Sequence, residues 1–242
     1  MREQILAYAL RYEGNWQRIA AAIHRQEPWQ RCFYQGDYVT IVDEDYPMCL
    51  RCLRYPPWIL FYRGDRTLLN KEGMAVIGAR NNSPIGKKSC QAIVEILKEK
   101  YVIISGLAKG IDAIAHEEAL DHHTIGVIGC GIDRVYPREN EHLYAQMIRR
   151  HLIVSEYPGM TKPYAAHFPW RNRLIAALAE GIIVVEAKLR SGTMLTVNEA
   201  LELAKPVYVV TRSFLEEEYL GNASLLQQGA EPLFNLEDVK EL

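Results

Sequence analysis

From about residue 73 onward, the sequence alternates short, unbroken apolar runs with segments of helical periodicity. Runs without polar alternation are typical of strands that are buried on both faces of a sheet. The predicted strands cover residues 74–77, 101–104, 124–128, 152–154, 182–185 and 207–210, and the predicted helices cover residues 86–98, 111–120, 139–149, 172–178 and 195–203. Helices between consecutive buried strands predict an α/β fold, in which a doubly wound, mostly parallel sheet lies between two helical layers.

The first 70 residues follow a different pattern. Residues 1–36 carry apolar side chains at helical spacing on both sides of Gly14, which predicts a small N-terminal helical segment or cap. This segment either packs on the main domain, which we favour, or is the remnant of a nucleic-acid or protein-binding module. Residues 37–70 contain several prolines and two predicted strands, at 39–42 and 59–62. We therefore divide the chain into an N-terminal segment, 1–36, and a main domain, 37–242.

Composition narrows the class of protein. The net charge is −2, so nucleic-acid binding would require a local basic patch. No apolar run reaches the ~20 residues of a membrane span, and the N-terminus does not resemble a signal peptide, so we expect a cytoplasmic protein without membrane contact. Cys49 and Cys52 form a single C-x-x-C without a second pair, and we expect neither a metal site nor a cofactor.

The predicted carboxyl ends of the strands are rich in glycine and positive charge. In open α/β sheets this edge binds the ligand, because glycine loops and helix N-termini there leave backbone N–H groups free for anions. The loops after the first three strands of the main sheet contain Gly78, Gly106 and Gly129, and each contains or precedes one of the cations Arg80, Lys109 and Arg138. Ser191 begins a further helix near Lys188 and Arg190. The sequence therefore predicts an anion site at this edge.

One segment concentrates cations and aromatic rings. Between residues 167 and 174 lie Phe168, Trp170, Arg171, Asn172 and Arg173, immediately ahead of an apolar pattern with helical spacing. Guanidinium groups suit phosphates, and aromatic rings suit unstacked bases. The alternative is that the two rings pack in the core and the arginines cap the helix. We place this segment on the same rim as the glycine loops.

The ligand that best fits these groups is an extended polyanion. The first strand is not followed by G-x-G-x-x-G, and Ser105 stands where a dinucleotide site would need an acid. The phosphate-binding loop of nucleoside triphosphatases is also missing. Five or more cations on several loops exceed what one small phosphorylated ligand requires. The two rings favour single strands over duplex, because the bases of a single strand are free to stack.

Several motifs, in order and with compatible spacing, resemble the DNA-processing protein A family (DprA, also called Smf). The motifs are Val76-Ile77-Gly78-Ala79-Arg80, Ser105-Gly106-Leu107-Ala108-Lys109-Gly110-Ile111-Asp112, Gly129-Cys130-Gly131-Ile132-Asp133 with Tyr136-Pro137, Ser155-Glu156-Tyr157-Pro158-Gly159, Phe168-Pro169-Trp170-Arg171-Asn172-Arg173 and Ser191-Gly192-Thr193. The resemblance extends from about residue 37 to residue 235. It implies an extended Rossmann-like domain that binds single-stranded DNA, forms a homodimer and loads a RecA-type recombinase onto incoming strands in natural transformation.

The resemblance also implies roles for individual residues. The family's DNA-contacting arginine, its basic residue after Tyr-Pro and its phenylalanine correspond to Arg80, Arg138 and Phe168. Together with the rim described above, the expected DNA-binding set is Gly78, Arg80, Gly106, Lys109, Gly129, Arg138, Phe168, Trp170, Arg171, Asn172, Arg173 and Ser191.

The sequence departs from the family pattern at some positions. Ala165 stands where some relatives have a lysine, which Lys162 could replace, and Ala79 stands where serine is commoner. The helical segment before residue 37 is shorter than the N-terminal domain of some relatives. We expect no winged-helix tail, because the sequence given stops at Leu242.

Two other function classes remain open. Ser191-Gly192-Thr193 with Glu199 faintly resembles the signature of nucleotide phosphoribohydrolases, and a nucleotide-sensing module would need no chemistry. We nevertheless expect no catalytic residues. Asp112 and His116, four residues apart, are expected to hydrogen-bond along their helix, and Asp133 and Glu156 to hold loops through backbone N–H groups.

Overall fold

The computed structural model describes residues 1–212 and 216–242, and nine strands within them form one sheet. The strands are β1 (Asp37–Thr40), β2 (Ile59–Gly64), β3 (Gly73–Ile77), β4 (Val102–Ser105), β5 (Thr124–Val127), β6 (Leu152–Ser155), β7 (Gly181–Val184), β8 (Val207–Val210) and β9 (Glu231–Leu233). Their order across the sheet is β1-β2-β6-β5-β4-β3-β7-β8-β9. The sequence-based prediction of a doubly wound, Rossmann-like α/β fold with a helical N-terminal part is confirmed.

The seven strands β3 to β9 all run parallel to one another. At the other end of the sheet, β2 is antiparallel to β6, and β1 is antiparallel to β2. Along the chain, β4, β5 and β6 are added on one side of β3, and β7, β8 and β9 are added on the other. The winding direction therefore reverses after β6, and β3 and β7 become neighbours at the switch point. Such a switch point opens a crevice at the carboxyl ends of the two strands.

Helices cover both faces of the sheet. They are α1 (Arg2–Arg11), α2 (Trp16–His24), α3 (Met48–Arg51), α4 (Pro84–Leu97), α5 (Ile111–Glu118), α6 (Glu141–Arg150), α7 (His167–Leu178), α8 (Gly192–Glu202), α9 (Leu220–Gln227) and α10 (Leu236–Lys240). In β3, Ala75 and Ile77 face the core formed with α7 and α8, while Met74 and Val76 face the core formed with α4 and α5. This alternation explains why both sets of positions in the strand are apolar.

The N-terminal segment packs against the sheet. Ile5, Tyr8 and Ile19 of α1 and α2 share a hydrophobic cluster with Phe61 of β2 and Ile153 of β6. The segment thus shares a continuous core with the main sheet, and the division of the chain at residue 37 remains a prediction. Within the described part of the chain, no helix is both long and apolar enough to cross a membrane.

The main difference from the sequence-based expectation concerns α7. The helix begins at His167, five residues before the predicted start. Pro169 is compatible with this, because the N–H groups of the first helical turn have no partner within the helix. The segment of rings and cations is therefore helical, and its side chains point in different directions instead of lining one rim.

Candidate nucleic-acid interface

A pocket of about 740 Å³ opens at the switch point of the sheet. One wall is the loop after β3, with Gly78 and Arg80, and the other is the segment from Lys188 to the start of α8. Helix α7 forms the floor. The structure thus places this pocket at the edge where the sequence predicted an anion site.

Helical geometry decides which residues of α7 reach the pocket. Besides Pro169 in the first helical turn, the residues of α7 that line it are Phe168, Arg171, Asn172 and Ile175. These positions are spaced i, i+3, i+4 and i+7, so they share one face of the helix. Trp170, which lies between them in sequence, is not among the described residues that line the pocket.

Arg80 and Phe168 lie together at the pocket. The Arg80 guanidinium carbon lies 5.7 Å from the centroid of the Phe168 ring. Arg80 is exposed, and Phe168 is half-buried. The ring of Tyr136, which is 42% exposed, lies 5.6 Å from that of Phe168. Gly129 packs beside Phe168, because a Cβ there would lie 3.1 Å from the ring.

The opposite wall is also cationic. Lys188 and Arg190 are exposed and line the pocket. The Ser191 hydroxyl is buried and has no hydrogen-bond partner among residues 1–212 and 216–242. The Thr193 hydroxyl donates a hydrogen bond to the Gly78 carbonyl over 3.1 Å, which links the two walls directly. Cations therefore approach the pocket from two sides.

Arg171 lies at the same edge as the glycine loops, where it was expected, but it is buried in the pocket floor and its guanidinium is turned to backbone carbonyls. It is 5% exposed, and its Nη1 donates to the carbonyl oxygens of Gly106 and Val127. Burial lowers the pKa of its guanidinium, and the nearby Asp112 carboxylate opposes that shift. Asn172 is also buried, and its amide Nδ2 donates to the Gly192 carbonyl at the start of α8.

Trp170 and Arg173 lie on another face of α7, which corrects their expected place on the rim. The Arg173 guanidinium lies over the Trp170 ring at 4.2 Å and forms a buried ion pair with Glu156. Trp170 packs beside Tyr55 and Trp16, with ring centroids 5.6 and 6.5 Å away. For these two residues the structure matches the alternative of packing. Glu156, expected to hold a loop through backbone N–H groups, instead accepts from Arg173.

Lys109 and Arg138 lie next to the pocket. A smaller cleft adjoins it and contains Lys109, Gly106, Gly129 and Phe168. Lys109 forms an ion pair with Glu139. Arg138 is exposed and directly follows Pro137, which lines the same cleft.

Asp133, the other acid that was expected to hold a loop, differs from that expectation. Its carboxylate accepts a hydrogen bond from the Arg63 guanidinium, 2.5 Å away. The amide of Asn140 donates to the carbonyls of Leu107 and Ala108 at 3.0 and 3.1 Å, so it joins the loops after β4 and β5.

The sequence analysis missed a carboxylate that occupies the N-terminus of α4, where an anion could otherwise bind. Glu186 is fully buried and accepts from the backbone N–H and the hydroxyl of Ser83, the N-cap of α4. Gly86 makes room for it, because a Cβ there would lie 2.1 Å from the Glu186 carboxylate. A cofactor pyrophosphate would occupy this place in a dinucleotide-binding fold. No local signal reveals the contact, because 103 residues separate Ser83 from Glu186.

Together, the fold and the pocket define a class: doubly wound α/β proteins with a cationic, ring-containing pocket at the switch point of the sheet. Residues 37–242 match the family model of DNA recombination-mediator protein A. The chain belongs to this family.

Comparison with individual relatives gives the same result. The chain is 38% identical to the DNA processing protein DprA of Bacillus subtilis, over 99% of this chain and 81% of that protein. It is 41% identical to DprA of Streptococcus pneumoniae, over 83% and 72%.

Two solved structures are also similar. The X-ray structure of S. pneumoniae DprA superposes with a TM-score of 0.83 at 35% identity, covering 99% of this chain and 92% of that one. A Helicobacter pylori DprA structure, described as revealing a single-stranded DNA binding mode, gives 0.78 at 34% identity, covering 86% and 95%. The resemblance to the DprA/Smf family is therefore confirmed.

Proposed function

We propose that this chain binds single-stranded DNA in the switch-point pocket, with little sequence preference and without catalysing a reaction. The observation that carries the proposal is the pairing of the exposed Arg80 with the Phe168 ring at the pocket. A cation beside an accessible aromatic face can hold a phosphate while the neighbouring base stacks on the ring.

The two cationic walls suit a strand that runs through the pocket. Arg80 stands on one wall, and Lys188 and Arg190 stand on the other. A polynucleotide carries a phosphate at each nucleotide, so it can engage both walls at once. In a duplex the bases are stacked inside the helix and cannot reach Phe168. We therefore assign phosphate contacts to Arg80, Lys188 and Arg190, a base contact to Phe168, and supporting roles to Gly78, Gly106, Gly129, Lys109, Arg138 and Ser191.

The family relationship supports a wider role. The family is named for recombination mediation, and the H. pylori relative is described as binding single-stranded DNA. We infer that this chain, as a homodimer in the cytoplasm, protects incoming strands in natural transformation and loads a RecA-type recombinase onto them. Sedimentation tests the dimer, and a monomer at high micromolar concentration would contradict it. The recombinase role is tested by whether the chain speeds filament assembly on strands coated with single-strand binding protein.

A binding titration tests the central proposal. Fluorescence anisotropy would compare a labelled oligothymidine with a duplex of equal length at two salt concentrations. We expect the single strand to bind more tightly, and its affinity to fall with salt as phosphate-bound counterions are displaced. Equal affinity for duplex, or no salt dependence, would overturn the proposal.

The nucleotide phosphoribohydrolase alternative has less support in the structure. The Thr193 hydroxyl of its Ser-Gly-Thr motif donates to the Gly78 carbonyl. Glu199 is not among the described residues that line the pocket. Incubation with nucleoside monophosphates provides the test, since release of free base would contradict a purely binding role. Calorimetry with small nucleotides tests the sensor alternative, which requires tight binding of a single nucleotide.

A further inference from the structure

Arg171 connects the loops that form the pocket. Its Nη1 donates to the carbonyl of Gly106, just after β4, over 2.7 Å, and to the carbonyl of Val127, the last residue of β5. Arg171 itself belongs to α7, which forms the floor. One guanidinium therefore joins three elements at the carboxyl edge of the sheet.

The loop after β4 is shaped to accept this side chain. A Cβ on Gly106 would lie 2.5 Å from Nη1 of Arg171 and 2.6 Å from Oδ2 of Asp112. Real Cβ atoms essentially never make contacts this short, so glycine leaves the space that both charged groups occupy. Asp112 is buried as well, so Gly106 packs closely against both a guanidinium and a carboxyl group.

We propose that Arg171 is a positioning residue, an inference that rests on the proposed function. It holds the loops after β4 and β5 in the geometry that binds the DNA strand, and it makes no phosphate contact itself. Its donors point to backbone carbonyls, and it is 5% exposed. Arg80, Lys188 and Arg190 line the same pocket and are exposed, so a phosphate there meets these side chains first.

The first test separates positioning from phosphate contact. Arg171→Lys keeps the charge but replaces the planar guanidinium with a shorter side chain and a tetrahedral ammonium, so it loses the geometry in which Nη1 reaches both carbonyls. We expect its affinity for oligothymidine to fall about tenfold or more, which is at least ~1.4 kcal/mol, with the salt slope unchanged. Arg80→Ala, measured alongside, should lower the slope by about one contact. A slope that falls equally in the Arg171 variant would make it a phosphate ligand, and an unchanged affinity would remove it from the site.

A second variant leaves every charge in place. Gly106→Ala introduces the Cβ that would displace the Arg171 guanidinium, so it should lower affinity to a similar extent without changing the salt slope. Combined with Arg171→Lys, it should cost little more than either change alone, because both disturb one contact. Fully additive losses would show that Gly106 and Arg171 act separately.

A measurement without DNA keeps the two proposals distinguishable. Amide hydrogen exchange of the free protein should speed up in residues 106–110 and 128–131 in both variants, but not in Arg80→Ala. Unchanged exchange in these loops would overturn the positioning role, whatever the DNA titrations show. If amide exchange speeds up in these loops as expected but the unaltered protein does not bind DNA, the proposed function is overturned and the positioning role is not.

Discussion

Arg173 and Glu156 form a buried, bidentate ion pair that ties α7 to the end of β6. The two guanidinium nitrogens Nη1 and Nη2 each lie 2.6 Å from a different carboxylate oxygen, and the two side chains are 5% and 4% exposed. A buried pair of this geometry matters less for the net stability it adds than for what its loss leaves behind, because removing one partner leaves the other charge unpaired.

Arg173→Ala is therefore expected to destabilise the fold. The unpaired Glu156 should lower the free energy of unfolding by about 3–5 kcal/mol, measured by urea denaturation. The exposed pair of Arg66 with Asp45 is a matched control, since its side chains are 37% and 53% exposed. Arg66→Ala should cost about 1 kcal/mol or less. If the folded fraction of Arg173→Ala lost DNA affinity with little loss of stability, the assignment of Arg173 to the core would be wrong.

Arg80→Ala is expected to weaken DNA binding without unfolding the protein, because Arg80 is exposed. The affinity for oligothymidine should fall by about 1–3 kcal/mol, and the salt slope by about one phosphate contact. Arg149→Ala is the matched control, because this exposed arginine lies at the C-terminal end of α6, at the opposite edge of the sheet. An equal loss in both variants would mean that the general charge of the protein, and not the pocket, attracts the DNA.

The fold was predictable because buried parallel strands leave a strong local signal. The apolar run at residues 74–77 lies within β3, and the run at 207–210 coincides with β8. The glycine loops could also be placed, since the carboxyl ends of parallel strands share one edge. Sequence alone could therefore assign Arg80 and Gly78 to the same pocket edge.

The directions of the side chains in α7 could not be predicted in the same way. The start of the helix at His167 is obscured by Pro169 and two aromatic rings, so Phe168 and Trp170 looked equivalent. The acid that neutralises Arg173 lies 17 residues upstream, at the end of another strand. Such partners are decided by tertiary packing, which leaves no local pattern.

Truncation of Phe168 is expected to affect DNA affinity, whereas truncation of Trp170, two residues later, is expected to affect the stability of the fold. Phe168→Ala should lower the affinity for oligothymidine by about 1–3 kcal/mol, because its ring lines the pocket. Trp170→Ala should instead lower the free energy of unfolding by about 1–3 kcal/mol, because its ring packs against Tyr55 and Trp16. The measurements are oligothymidine titration and urea denaturation of both variants. A loss of affinity on truncating Trp170 would return it to the binding surface.

His116 is expected to make the fold sensitive to acid. It is fully buried, and Thr124 uses its only hydroxyl proton to bond the Ile103 carbonyl, so the Thr124 oxygen accepts from Nδ1 of His116. His116 thus bonds to Thr124, and the hydrogen bond to Asp112 that the sequence analysis expected is replaced. Nδ1 therefore carries a proton, and Nε2 has no hydrogen-bond partner among the described residues. Burial lowers the pKa of His116 to about 3.

The sign of the pH effect follows from this lowered pKa. The pKa of histidine in the unfolded chain is about 6.5. Below that pH the unfolded chain binds a proton at His116 and the folded protein does not. The contribution of His116 to the free energy of unfolding is therefore fully present above pH 6.5 and is lost as the pH falls toward 3. At pH 5 the loss from His116 alone is about 2 kcal/mol, and buried His151, whose pKa burial also lowers, contributes in the same direction. Urea denaturation between pH 4.5 and 7.5 would measure the slope. His116→Asn, which keeps a donor toward Thr124, should flatten it, whereas His24→Asn, on the exposed side of α2, should not. A slope that is the same in His116→Asn and the unaltered protein would assign the acid sensitivity to other groups.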